Sequence, residues 1–180
     1  YQVSSVYIGG GTPSSIDERW IAALMEGVFD CFNVLSDAEI SIECNPGTLS
    51  REKLLAYMDA GINRLSIGLQ SANNDELKRL GRIHTFEQFV TNYEVARNVG
   101  FKNINVDLMY GLPEQSASQY MATVNKIIRL HPDHISAYSL IVEKGTPFYE
   151  KYKFDMVRQE AGMGTEFLPD EDELLSLIHI

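Results

Sequence analysis

Apolar runs rich in β-branched residues recur at 3–9, 39–44, 64–70, 103–109 and 134–142, and helical patterns fill the stretches between them. In the first helical stretch Ile16, Trp20, Ala23, Leu24, Val28, Cys31 and Phe32 recur at helical spacing and predict its core face. Leu54, Leu55 and Met58 mark a second helix, Phe86, Phe89, Val90, Tyr93 and Ala96 a third, and Tyr120, Val124, Ile127 and Ile128 a fourth. Ser15-x-x-Glu18, Thr85-x-x-Gln88 and Ser116-x-x-Gln119 each predict a capping box, in which side chains satisfy the orphan amides of a helix start. Gly61 and Gly100 stand where a helix ends in a left-handed residue, Pro132 stops the last full helix, and a short extra helix is expected at 74–80. Strands separated by helices imply right-handed crossovers and a parallel sheet.

Five such strands fit an open doubly wound sheet or part of a (β/α) barrel, and the alternation within them favours the barrel. An open sheet covered on both faces shows near-continuous apolar strands. Here one parity is polar (Ser41 and Glu43; Ser66, Gly68 and Gln70; Asn103, Asn105 and Asp107) and the other apolar (Ile40 and Ile42; Leu65, Ile67 and Leu69; Ile104, Val106 and Leu108). Period two sends the two sets to opposite faces. The apolar set is expected to meet outer helices, and the polar set to line an interior that holds a ligand.

Composition narrows the function. The 180-residue chain carries a formal charge of −10, which argues against non-specific nucleic-acid binding and against an anionic membrane surface. It has no apolar run of about 18 residues, hence no spanning segment. The start, "YQVSSVYIGG", lacks the basic and apolar regions of a signal peptide, and it enters a strand without an initial Met. The expectation is an internal stretch of a longer, cytoplasmic chain. Cys31 and Cys44 form neither a disulfide framework nor a CxxC-type site, and both are expected in the core. The histidines are too scattered for a zinc site; His131 reads as a helix C-terminal cap and His134 as a surface residue.

The candidate chemistry sits at the strand ends, "GGGTP", "ECNPG", "LQSAN", "VDLMYGLP" and "YSLIVEKG". In parallel α/β folds the carboxyl ends of the strands form the binding face. The glycine run has neither the Lys of a phosphate loop nor the third Gly of a dinucleotide fingerprint, which leaves a tight turn or a close backbone approach by a ligand. Glu43 and Asp107 interrupt apolar strands. They are either halves of ion pairs with Arg64 or Arg82, acceptors for ligand hydroxyl or amine groups, or an acid and base pair of the glycosidase kind. Arg82, which follows Gln70 and precedes His84, is either a solvated surface residue or a bidentate clamp for a carboxylate.

"YIGGGTPS", "ISIECNPGT", "GINRLSIGLQS", "LGRIHT", "INVDLMYGLPEQ" and "HISAYSLIVEKGTPF" occur in this order. Together they resemble the radical S-adenosylmethionine (SAM) superfamily over roughly residues 3–173, and most closely its oxygen-independent coproporphyrinogen-III oxidase-like heme chaperones. The resemblance implies a partial (β/α)6, TIM-like radical SAM barrel with the first strand and cluster loop missing. The core would cover 1–150, and 151–180 would begin a truncated C-terminal extension. It implies that Gly10, Gly11 and Thr12 contact the methionine part of SAM, that Glu43 meets a SAM, and that Gln70, Arg82 and Asp107 match SAM-contacting positions of the related oxidases. Ile141 falls at a further contact position, with a different residue type. Family chemistry begins at a [4Fe–4S] cluster held by CxxxCxxC, where SAM is cleaved to a 5′-deoxyadenosyl radical. Cys31 and Cys44 do not match that motif, so a segment lying past the triad, and inactive by itself, is expected. The function implied is heme binding and delivery to an acceptor protein, with coproporphyrinogen-III oxidase as the alternative. The terminal "LLSLIHI" matches nothing in the family.

Overall fold

A computed structural model describes residues 1–170; the terminal "LLSLIHI" and the last part of the expected 151–180 extension lie outside the described residues. Strand β1 (Gln2–Ile8) leads through a 3-10 turn (Pro13–Ser15) into α1 (Glu18–Cys31), followed by β2 (Asn33–Cys44), α2 (Arg51–Asp59) and β3 (Arg64–Gln70). Next come α3 (Asn74–Arg79), α4 (Phe86–Val99), β4 (Asn103–Tyr110), α5 (Ala117–Ile128), β5 (His134–Ser139) and α6 (Pro147–Glu160). The strands form one sheet in the order β1-β2-β3-β4-β5. β1/β2 and β2/β3 pair in parallel. The start of β5 meets the start of β4, with Asp133 N–H donating to Ile104 O at 3.1 Å; the ends meet likewise, with Leu140 N–H donating to Tyr110 O at 2.9 Å. The expected strand-helix repeat is therefore the observed one.

The chain resolves into two compact units. The first comprises Tyr1–Leu69, His84–Asp107 and His131–Ser136. In it the register sets like against like: Ile42 faces Leu65 and Cys44 faces Ile67 on one parity, while Tyr7 faces Ser41 and Glu43 faces Ser66 on the other. Ile42, Leu65, Ile67, Ile104 and Val106 are fully buried, with Leu54 and Tyr57 of α2 and Phe89, Tyr93 and Ala96 of α4. Burying each large side chain contributes about 1.5–3 kcal/mol. Thr85 forms its capping box with Gln88.

Five expectations for this unit change. The 3-10 turn takes Ser15 into itself, so Asp17 rather than Ser15 caps α1. On α1 the buried residues are Ile21 and Met25, whereas Trp20, Leu24 and Phe32 are exposed. Both sets fit a helical repeat, and spacing alone does not choose between faces so apolar. Cys31, at the end of that helix, is exposed and only Cys44 is buried. β2 begins at Asn33 because its polar first half pairs with the start of β1 across an irregularity between Val3 and Ser5. His131 lies beyond α5 with φ +53, and its carbonyl accepts from Arg97 Nη2 at 2.9 Å; it does not cap the helix, which ends on Arg129.

The second unit comprises Gln70–Ile83, Leu108–Leu130 and the chain from Ala137. Ser116 forms its capping box with Gln119. The α5 face toward the interior is Tyr120, Thr123 and Ile127, while Ile128 is exposed. A buried polar cluster ties the ends of three elements: Glu76 Oε2 accepts from the Ser71 hydroxyl at 2.5 Å and from Gln115 Nε2 at 2.9 Å. Beyond α6, the buried Asp155 carboxylate accepts the N–H groups of Glu166, Phe167 and Leu168 and fixes that turn.

Candidate functional site

In the first unit the lip after β1 is built around one carboxylate. Glu43 Oε1 accepts from the Tyr7 hydroxyl at 2.9 Å and Oε2 from Gly10 N–H at 3.1 Å. Burial, then the hydrogen bond to Glu43, push the Tyr7 phenol up to about 12, so Tyr7 stays a donor. The three glycines differ in purpose. Gly10 and Gly11 hold φ +90 and +65, and a Cβ on either meets nothing within 4 Å. A Cβ on Gly9 would stand 2.7 Å from Tyr7 Cε1 and 3.0 Å from Glu43 Cδ and Oε1. Gly9 is thus glycine for space, and its neighbours for conformation. Thr12 follows half-buried, its carbonyl accepting from Ser15 N–H at 2.9 Å. Ser14 then joins the lip to the loop after β2, its hydroxyl accepting from Asn45 N–H at 2.9 Å and from Thr48 Oγ1 at 2.7 Å.

Asp107 belongs to the same unit. Its Oδ2 accepts from Ser66 Oγ at 3.0 Å and its Oδ1 from Asn105 Nδ2 at 2.7 Å, while Ser136 Oγ donates to Asn105 Oδ1 at 3.1 Å. The hydrogen-bond donors to Glu43 and Asp107 are thus neutral groups, and Arg64 turns instead to Glu39 at 3.8 Å and to Ser41 Oγ at 3.2 Å. Along the polar parity Ser41, Ser66 and Asn105 are buried, with Asn105 Nδ2 donating to Ser66 Oγ at 2.8 Å and Ser41 bonded to Glu39 and Arg64, and Glu43 and Asp107 are half-buried. Within this unit Ser66, Asn105, Asp107 and Ser136 of the expected polar set are joined by their own hydrogen bonds.

In the second unit Gln70, Arg82 and Ile141 come together around a cavity of about 310 Å³, walled also by Met109, Leu140 and Phe148. Gln70 has φ +74, a left-handed conformation rare for a residue with a side chain, and its Oε1 accepts from the Tyr138 hydroxyl at 3.2 Å. Arg82 is half-buried, and burial lowers its pKa. His84, in the first unit, is buried with Nε2 3.3 Å from Leu69 O. The expected site residues thus fall into two groups: Gly10, Gly11, Thr12, Glu43 and Asp107 in the first unit, and Gln70, Arg82 and Ile141 in the second. Gly9, Tyr7 and Tyr138 were not singled out by the sequence. Parity carries a signal for the tyrosines, since Tyr7 alternates with Ser5 and Tyr138 with Ser136 on the polar sides of their strands.

The residues present fit SAM better than they fit the cluster. The open backbone at Gly10 and Gly11 and a carboxylate with lone pairs to spare suit an amino-acid end group. By contrast, Cys31 is exposed on a helix and Cys44 is buried, with burial pushing its thiol up and keeping it neutral. Among the described residues, no group of three or more His, Cys, Asp and Glu is disposed to hold a metal ion. None of their helices is long and apolar enough to cross a membrane.

Residues 1–127 match the family model of the radical SAM superfamily. The chain is 38% identical over 173 residues to Heme chaperone HemW of Escherichia coli, covering 96% of this chain and 42% of that protein. It is 42% identical over 148 residues to Heme chaperone HemW of Bacillus subtilis, covering 82% and 39%. The chain thus spans about two fifths of the length of these relatives. Among solved structures, coproporphyrinogen III oxidase (HemN) from Escherichia coli, a radical SAM enzyme, matches with a TM-score of 0.81 at 28% identity, covering 99% of this chain and 39% of that one. The sheet order, the strand-helix repeat and these likenesses agree: the fold is the expected TIM-like barrel in part, and the chain belongs to the radical SAM superfamily.

Proposed function

We propose that this chain is the SAM-binding stretch of a cytoplasmic heme chaperone, a protein that binds heme and passes it to an acceptor protein, with SAM and a [4Fe–4S] cluster in the intact molecule. The likeness to proteins named heme chaperone supports the cargo. The observation that carries the SAM reading is Glu43, held between Tyr7 and Gly10 beneath a bare glycine backbone. With the cluster, bound SAM supplies one-electron chemistry; the residues of this chain bind and orient it. Glu43 accepts from the SAM amino group, and the backbone at Gly10, Gly11 and Thr12 meets the methionine part. Asp107 accepts from a ligand hydroxyl or amine. In the second unit's cavity, which on this reading takes part of a SAM, Arg82 and Gln70 donate to an acceptor group of that ligand, and Ile141 supplies apolar wall. The cysteines of this chain are not the cluster ligands, so the chain by itself is expected to form no deoxyadenosine.

A second reading, coproporphyrinogen-III oxidase, is favoured by the match to that enzyme. The two separate in one experiment on intact protein with its cluster reconstituted. Added heme should give a stable Soret shift, and coproporphyrinogen III should not be consumed. Turnover of coproporphyrinogen without a Soret shift would establish the second reading instead.

A further inference from the structure

We infer that Tyr138 is a positioning residue for Gln70, fixing which end of the Gln70 amide faces the cavity. The inference rests on the proposed reading that this cavity takes part of SAM. A glutamine amide offers an acceptor at one end and donors at the other, and a free side chain can present either. The Tyr138 hydroxyl donates to Gln70 Oε1 at 3.2 Å, which turns the Gln70 N–H₂ group away from the tyrosine. Arg82, a pure donor, lines the same cavity. Beside Glu143 and Thr146, which also line the cavity, Gln70 and Arg82 then both present donors, and the ligand group these two take is an oxygen acceptor such as a carboxylate.

The backbone at Gln70 is built for this purpose. A left-handed non-glycine residue persists only where its surroundings over-determine it. The next two residues are pinned: Ser71 Oγ by Glu76 at 2.5 Å, Ala72 N–H by Thr123 Oγ1 at 3.3 Å, and Ala72 O by Lys126 Nζ at 2.9 Å. None of these bonds reaches the Gln70 side chain, whose own partner is Tyr138. Tyr138 is 40% exposed, so removing its hydroxyl leaves the core intact.

The test is a double-mutant cycle on the intact, cluster-reconstituted protein, reading SAM affinity by equilibrium dialysis. Gln70→Gly removes the side chain and suits the left-handed backbone. Gln70→Gly should weaken binding. Tyr138→Phe should weaken it by roughly threefold to tenfold, the weight of one neutral hydrogen bond, with an unchanged melting temperature. In the Gln70→Gly background, Tyr138→Phe should have no further effect. Equal weakening by Tyr138→Phe in both backgrounds, or none in either, overturns the positioning role and leaves the cavity reading intact. SAM affinity unchanged by Gln70→Gly overturns both.

Discussion

Replacing Gly9 with alanine probes the lip where its packing is tightest. The new Cβ would lie 2.7 Å from Tyr7 Cε1 and 3.0 Å from the Glu43 carboxylate, against ordinary contacts of 3.4–4 Å. Both side chains must move by roughly half an ångström, a tolerance set by close packing. Tyr7 is 58% exposed and can swing outward, so the fold itself loses little. The loss falls on the Glu43 carboxylate, whose bonds to Tyr7 at 2.9 Å and Gly10 at 3.1 Å are stretched. A hydrogen bond to a charged group contributes about 1.5–3 kcal/mol. If that preorganisation serves SAM, affinity should fall about tenfold to a hundredfold, at about 1.4 kcal/mol per tenfold. Gly10→Ala is the contrast: its Cβ meets nothing, but φ +90 imposes about 1–2 kcal/mol of strain on the fold. Equilibrium dialysis with SAM and a thermal melt on each intact variant separate the two effects. A Gly9→Ala protein that binds SAM like the wild type and melts at the same temperature would refute the reasoning.

Three further predictions follow from the packing. Under native conditions a thiol reagent should modify Cys31 and spare Cys44, and Cys31→Ser should abolish the reaction; modification of native Cys44 would contradict its burial. Leu65→Ala, in a fully buried position of β3, should cost about 2–5 kcal/mol and lower the melting midpoint by about 2–4 °C per kcal/mol. Burial raises the Asp155 carboxyl, but the N–H groups of Leu168, Phe167 and Glu166 outweigh it and hold the group below the usual carboxylate range. A depressed value contributes stability that is present above the ordinary pKa of about 3.9 and lost as pH falls through the folded value. Hydrogen exchange should therefore find these three amides protected near neutrality and opened in acid, and Asp155→Asn should open them at neutral pH; equal protection in both proteins would count against the carboxylate.

The parity of polar residues in the strands was the most legible feature of the sequence. Ser66, Asn105 and Asp107 share a face, and they bond to one another as that alternation requires. Thr85 and Ser116 capped as expected because their motifs are local. The face of α1 was not legible: Trp20 and Leu24 repeat as well as Ile21 and Met25, and only tertiary packing decides between them. Nor could a run of three glycines reveal that Gly9 alone of the three is crowded, because its neighbours are Tyr7 on the preceding strand and Glu43 more than 30 residues away. Nothing in the apolar run around Tyr138 marks its hydroxyl as the partner of Gln70, 68 residues away in the chain.

The central claim is that Glu43 and the glycine lip seat SAM, and its most direct test is the affinity of the intact, cluster-reconstituted protein for SAM before and after Glu43→Ala. The account predicts at least about a tenfold loss, the equivalent of one charge-assisted hydrogen bond, in a protein that still melts as the wild type does. An unchanged affinity in the Glu43→Ala protein would contradict it.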